Sequence, residues 1–249
     1  MKRKNFLKTT AAFTAGSILL PGMACKEKRE AMVAEPHRKN WAGNLEYQAK
    51  YLHKPKNTEE VRKLIHTLHQ QKALGSRHCF NDIADSPLNQ ISTQNLVGPM
   101  EIDEKGQTVT IGAGSRYGDI APELHKRGYA LHNLASLPHI SVAGACATAT
   151  HGSGMQNGNL ATAVAGLEIV TGNGAILDLH RDKDQKVLES MVVNLGALGI
   201  ITRITLDVQK TYEVRQDVYQ DLPLEELVAH FNEIMSAGYT VSLFTEWQA

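Results

Sequence analysis

Two short blocks hold the residues best placed to do chemistry. One is Leu74-Gly75-Ser76-Arg77-His78-Cys79-Phe80-Asn81. The other runs from Ala135-Ser136-Leu137-Pro138-His139-Ile140-Ser141-Val142-Ala143-Gly144 to Thr148-Ala149-Thr150-His151-Gly152-Ser153-Gly154. Both are rich in small residues, which let the backbone come close to a ligand and leave amides available for phosphate oxygens. Together they point to one long, phosphate-bearing cofactor gripped from two sides. His78, in a Gly-Ser loop, is either a structural histidine or a neutral imidazole able to act on that cofactor. Ser136 stands before Pro138 as a turn residue or a site hydroxyl. His66 and His69 form an H-x-x-H pair, but no further Cys/His cluster accompanies it, so a solvated helix face is expected and no metal site. There is no G-x-S-x-G nucleophile elbow. Gly112-Ala113-Gly114 lies between a predicted strand and helix, yet Tyr117 occupies the place of the third glycine in a dinucleotide fingerprint. A plain turn is therefore preferred to an NAD-binding Rossmann unit.

The elements that must position these blocks are readable in outline. Asn57 with Glu60 resembles a capping box, and Val61, Leu64, Ile65 and Leu68 follow at helical spacing. That helix leads to a short strand and the His78 loop. Residues 101–114 read as a hairpin turning at Asp103-Glu104-Lys105-Gly106, and the next helix ends at Gly128. Ser141 is a candidate N-cap for a small-residue segment from Val142 to Ala149. Residues 168–179 form a second predicted hairpin around Thr171-Gly172-Asn173-Gly174, and a strand follows from Ile200 to Val208. A helix from Pro223 with Leu224, Leu227, Val228, Phe231 and Met235 on one face, then a strand over 239–245, complete the reading. The mixture and order of elements give an α+β class.

The two blocks resemble those of FAD-dependent oxidases in the vanillyl-alcohol oxidase / p-cresol methylhydroxylase superfamily, and within it the alditol (xylitol) oxidases, followed by the sugar-lactone oxidases. Asn40-Trp41-Ala42-Gly43-Asn44 and Ser242-Leu243-Phe244-Thr245-Glu246-Trp247 are similar to that subgroup as well. The resemblance implies a PCMH-type FAD-binding domain of two α+β subdomains over 40–210, followed by the start of a substrate domain over 211–249. It implies FAD bonded covalently through His78, with Gly75, Ser76, Arg77, Cys79, Ser136, Ser141, Gly144, Thr148, Ala149, Thr150, His151 and Ile201 contacting the cofactor. Ser136 matches the serine that also reaches substrate. Arg77 departs from the glycine of many relatives and either contacts the pyrophosphate or crowds the loop. The implied reaction oxidises a primary alcohol of a polyol to an aldehyde, with O2 as acceptor and hydrogen peroxide as product. A sugar-1,4-lactone oxidase or dehydrogenase would share these blocks. The resemblance implies that the family continues beyond Ala249 and that its base lies there, so the 249-residue form is expected to bind FAD but turn over very slowly or not at all. A non-catalytic flavin-binding module and a structural secreted domain are the readings from other classes.

Composition narrows the setting. Hydrophobic residues make up 42% of the 249-residue chain, ample for a core, and the formal net charge is zero. Without Lys2, Arg3, Lys4 and Lys8, the 26 basic residues fall to 22 against 26 acidic ones, and nothing resembles a nucleic-acid patch. Those four cations precede a short apolar run from Ala11 to Leu20, as in a weakened twin-arginine export signal over 1–24, with a charged linker over 25–39. Gly22-Met23-Ala24-Cys25 suits either a lipidated Cys25 or simple cleavage after Ala24. An exported, periplasmic or membrane-anchored lipoprotein is expected, with membrane contact only through that anchor. Cys79 and Cys146 read as small fillers rather than a disulfide framework. If Cys25 carries lipid, Cys25→Ser moves the protein from the membrane to the soluble fraction on cell fractionation; an unchanged distribution would support simple secretion.

Overall fold

The computed structural model describes residues 37–245. The expected export signal (1–24), Cys25 and all but the end of the linker, together with Glu246 and Trp247, lie outside the described residues. Two α+β subdomains follow one another, as expected. In the first, strands β1 (Tyr51–His53), β2 (Gln71–Leu74) and β3 (Asn89–Ser92) form a parallel sheet in the order β1-β3-β2, with helix α1 (Thr58–Thr67) between β1 and β2. Helix α1 begins where Asn57 predicts. The Asn57 side chain accepts from the Glu60 amide at 2.9 Å, and the Glu60 carboxylate accepts from the Lys56 amide at 2.7 Å. Strand β2 delivers the chain directly into the His78 loop.

The second subdomain is built on an antiparallel sheet in the order β4-β5-β9-β7-β8. Its strands are β4 (Glu101–Asp103), β5 (Thr108–Gly112), β7 (Val164–Thr171), β8 (Ile176–His180) and β9 (Gly199–Asp207). Helices α2 (Tyr117–Lys126), α3 (Val142–Ala147) and α4 (Arg181–Val192) accompany it, and a two-residue ladder joins β6 (Tyr129–Ala130) to β10 (Gln209–Lys210). Both predicted hairpins are present, β4–β5 and β7–β8. The register jumps between Glu168↔Arg203 and Ile169↔Ile201, leaving Thr202 as the extra residue of a β-bulge. Strand side chains alternate between faces, so this bulge brings Ile201 to the same cluster as Ile204 and Leu206. Ile200 and Val170 enter the other cluster, with Val61, Ile65 and Ile91 of the first subdomain. The large sheet is thus apolar on both faces, and its second face is closed by α1 and the small sheet.

Gly112-Ala113-Gly114 is the plain turn expected: it closes an antiparallel strand, and no βαβ unit supports a dinucleotide fingerprint there. Its glycines serve close packing: a Cβ at Gly112 would collide with the Leu96 carbonyl, and one at Gly114 with the Thr93 carbonyl. Helix α4 escapes the sequence pattern because only Leu188 and Val192 are buried along it. The small-residue helix stops at Ala147, and Ala149 turns the chain with φ +53°. The helix expected after Pro223 is two, α5 (Leu224–Ala229) and α6 (Phe231–Ser236), broken at His230 (φ −116°, ψ 22°), with Leu224, Val228 and Phe231 exposed. The strand expected over 239–245 does not form, because no partner strand is available to it among the described residues. Instead the Tyr239 hydroxyl donates to the His132 carbonyl at 2.8 Å, and the Asn157 amide donates to the Tyr239 carbonyl at 3.1 Å.

Gly112→Ala tests the packing account. Its methyl group must displace backbone rather than a flexible side chain, so a loss of about 2 kcal/mol or more is expected, a fall in Tm of roughly 5 °C by thermal unfolding.

Candidate functional site

The two blocks meet through one reciprocal pair. The Ser76 amide donates to Ser141 Oγ at 3.3 Å, and the Ser141 amide donates to Ser76 Oγ at 2.9 Å. Ser141 does sit at the N-cap of α3, but its hydroxyl makes no capping bond; it serves the other loop. Glycines flank it on both sides: a Cβ at Gly75 or Gly144 would lie 2.8 or 2.6 Å from Ser141 Oγ. The second loop is held independently by the start of α2, where the Gly118 amide donates to the Pro138 carbonyl at 2.7 Å and the Tyr117 amide to the Ile140 carbonyl at 3.2 Å.

The first loop is braced by residues 38–47. Buried Asn40 donates through Nδ2 to the Cys79 carbonyl at 3.0 Å and accepts from the Leu45 amide at 3.1 Å. The Trp41 amide donates to the Arg77 carbonyl at 2.8 Å. Arg77 itself has φ +67°, the left-handed region where glycine costs least. Its guanidinium turns back to the Lys39 carbonyl at 3.3 Å. This explains the departure at Arg77: the backbone keeps the turn a glycine would make, and the side chain leaves the loop interior.

The braced loop presents His78 in a cluster of three rings, stacked on Trp41 and tilted against His139. The Trp41 and His78 ring centroids are 4.8 Å apart at 26°, the His78 and His139 centroids 4.6 Å apart at 43°, and Trp41 lies 5.6 Å from His139. Nε2 of His78 and Nε2 of His139 are both buried without a hydrogen-bond partner. Burial, then the neighbouring His139, holds the His78 pKa below its usual 6.5, so the ring is neutral near pH 7. A neutral imidazole with an uncommitted nitrogen is what bonding to an electrophilic carbon requires. Together with the left-handed turn at Arg77 and the small residues on both loops, this donor set fits the flavin dinucleotide implied by the sequence resemblance.

The remaining predicted residues divide into those the fold gathers and those it leaves apart. Gly75, Ser76, Ser141 and Gly144 form the junction. Thr148 continues it, its hydroxyl donating to the Gly144 carbonyl at 3.0 Å and meeting Thr150 Oγ1 at 3.3 Å, with Ala149 between them. Ser136 is exposed on the same loop as His139. His151 is exposed and its Nδ1 lies 3.1 Å from the Gly152 carbonyl, a local contact. Ile201 is separate, its side chain in the sheet core. Cys79 and Cys146 are free; burial raises the Cys79 pKa and pushes Cys146 up to about 12, so neither is a poised thiolate. A cleft of about 220 Å3 lined by His132, Thr162 and Asp207 contains none of these residues. Sequence reasoning left Trp41, Asn40 and His139 without roles, although all three lie within the segments it singled out.

Comparison with known proteins gives the family. The FAD binding domain family matches residues 49–180. An alditol oxidase from a Streptomyces species is 41% identical over 212 residues, covering 84% of this chain and 50% of that protein. The L-gulonolactone oxidase of Bos taurus is 30% identical over 184 residues, 72% of this chain and 42% of the relative. The L-gulono-1,4-lactone dehydrogenase of Mycobacterium tuberculosis is 31% identical over 171 residues, 67% and 39% respectively. The chain spans about half the length of these relatives or less.

Ser141→Ala removes the acceptor of the Ser76 amide while keeping the backbone half of the pair. It should cost about 1 kcal/mol in chemical denaturation and lower the flavin content of the purified protein. Unchanged stability would show that the two loops are held together by other contacts.

Proposed function

The chain belongs to the FAD binding domain family, of the p-cresol methylhydroxylase type, and on that premise we propose that it carries FAD covalently through His78 and oxidises a primary alcohol of a polyol. The observation that supports the linkage is the buried, unpartnered Nε2 of a neutral His78 on a braced loop. The polyol reading rests on the alditol oxidase, which matches this chain at higher identity than the lactone oxidase or dehydrogenase. FAD, when bound, supplies the two-electron acceptor, taking hydride from the carbinol carbon and passing electrons to O2, so that the products are an aldehyde and hydrogen peroxide.

The residues of this chain bind and orient. Gly75, Ser76 and the left-handed turn at Arg77 shape the first loop, and the Ser76–Ser141 pair fixes it against the second. Gly144, Thr148, Ala149, Thr150 and His151 extend the cofactor-facing surface, the backbone at Ile201 adds a contact at the adenine end, and exposed Ser136 offers its hydroxyl to substrate. Residues 211–249 open the substrate domain in this reading. No helix among the described residues is long and apolar enough to cross a membrane; export and a lipid anchor at Cys25 complete the proposal from the N-terminal sequence.

Three measurements test it. Acid-precipitated protein should stay yellow, whereas His78→Ala should release its flavin into the supernatant; a yellow mutant precipitate would move the link to another residue. Oxygen consumption with xylitol or sorbitol should exceed that with aldonolactones by roughly tenfold or more, since a site shaped to an open-chain polyol misplaces the reacting carbon of a cyclic lactone. The reverse ranking would assign the lactone oxidase class. Anaerobic flavin that neither substrate reduces would leave a binding module.

A further inference from the structure

We propose that His139 readies His78 for its bond to the flavin 8α-methyl: its ring packs against the His78 ring and holds it in place, and its nitrogen takes the proton that His78 gives up. The inference rests on the covalent reading of His78. Bond formation replaces one C–H bond of the methyl group and the ring N–H of His78 with a nitrogen–carbon bond. Two protons leave, and two electrons pass through the flavin to dioxygen, giving one hydrogen peroxide. The methyl proton and the ring proton each need an acceptor, and the second must lie beside His78.

The structure puts His139 there. Its centroid is 4.6 Å from that of His78, and each ring keeps a buried Nε2 without a partner. Buried, unpaired polar atoms are costly, and two of them on touching rings call for a functional explanation. Trp41, the other ring on His78, is a donor only and cannot accept a proton. The hydroxyls of Ser76 and Ser141 already accept from each other's amides. His139 is held by contacts that do not involve His78: Pro138 and Ile140 on either side of it accept from the Gly118 and Tyr117 amides. The proximity of His139 also helps keep His78 neutral.

The test uses the full chain and reads covalent incorporation rather than turnover. The fraction of flavin retained after acid denaturation is followed over time in wild type, His139→Phe, and His139→Gly with and without added imidazole. Phenylalanine keeps a ring against His78 but has no proton acceptor, so incorporation should slow on the order of 10²-fold while non-covalent FAD still binds. His139→Gly should be equally slow, and imidazole should restore it at least tenfold. Incorporation by His139→Phe at the wild-type rate would overturn the proposal, as would a His139→Gly variant that imidazole leaves unchanged. Loss of all bound FAD from both variants would overturn it too, assigning His139 to cofactor binding. If wild type itself releases all its flavin, the covalent reading of His78 fails and this one with it; if only the His139 variants behave like wild type, this inference alone fails.

Discussion

The exchange of two hydrogen bonds between Ser76 and Ser141 is the constraint on which the candidate site depends. These residues are 65 positions apart and belong to different subdomains, yet each hydroxyl accepts the other's amide. Such a pair is satisfied only when both backbones are in place, so it fixes the spacing of the loops as well as joining them. It also dictates its neighbours. Gly75 and Gly144 have no room for a side chain beside Ser141 Oγ. With the loops fixed, the His78 ring packs against both Trp41 and His139, which also touch each other.

Behind this junction, the sheet bears both subdomains because its strands change face. The bulge at Thr202 turns Ile200 toward the α1 cluster and Ile201 toward the larger core. Polar groups mark the same seam. The Glu168 carboxylate accepts from Thr202 of β9 and from Thr58 at the start of α1, the latter at 2.8 Å. A half-buried carboxylate with two hydroxyl donors ties helix and sheet together where apolar packing alone would allow sliding.

Much of this was legible in the sequence because it is local. Asn57 and Glu60 cap α1 through bonds spanning three or four residues, and the 103–106 and 171–174 turns carry their hairpins in their own residue types. The elements that went unread depend on distant partners. Strands β1 and β3 are three and four residues long and gain strand identity from parallel pairing. Helix α4 buries too few side chains to show a stripe. The 239–245 segment shows the opposite failure: its composition suits a strand, but geometry needs a neighbour to bond with. At the site, residue types in the two loops announced a cofactor, whereas the grouping of Trp41, His78 and His139 arises from three separate segments and no local pattern encodes it.

The position of Trp41 gives the molecule an optical property. The chain has two tryptophans, Trp41 and Trp247, and Trp41 is stacked 4.8 Å from His78 while remaining half exposed. Indole emission is quenched more strongly by a protonated imidazole than by a neutral one, and it overlaps flavin absorption, so energy transfer would darken it further. With Trp247 replaced, the light emitted by a single residue would follow the charge on His78 and the arrival of the cofactor beside it.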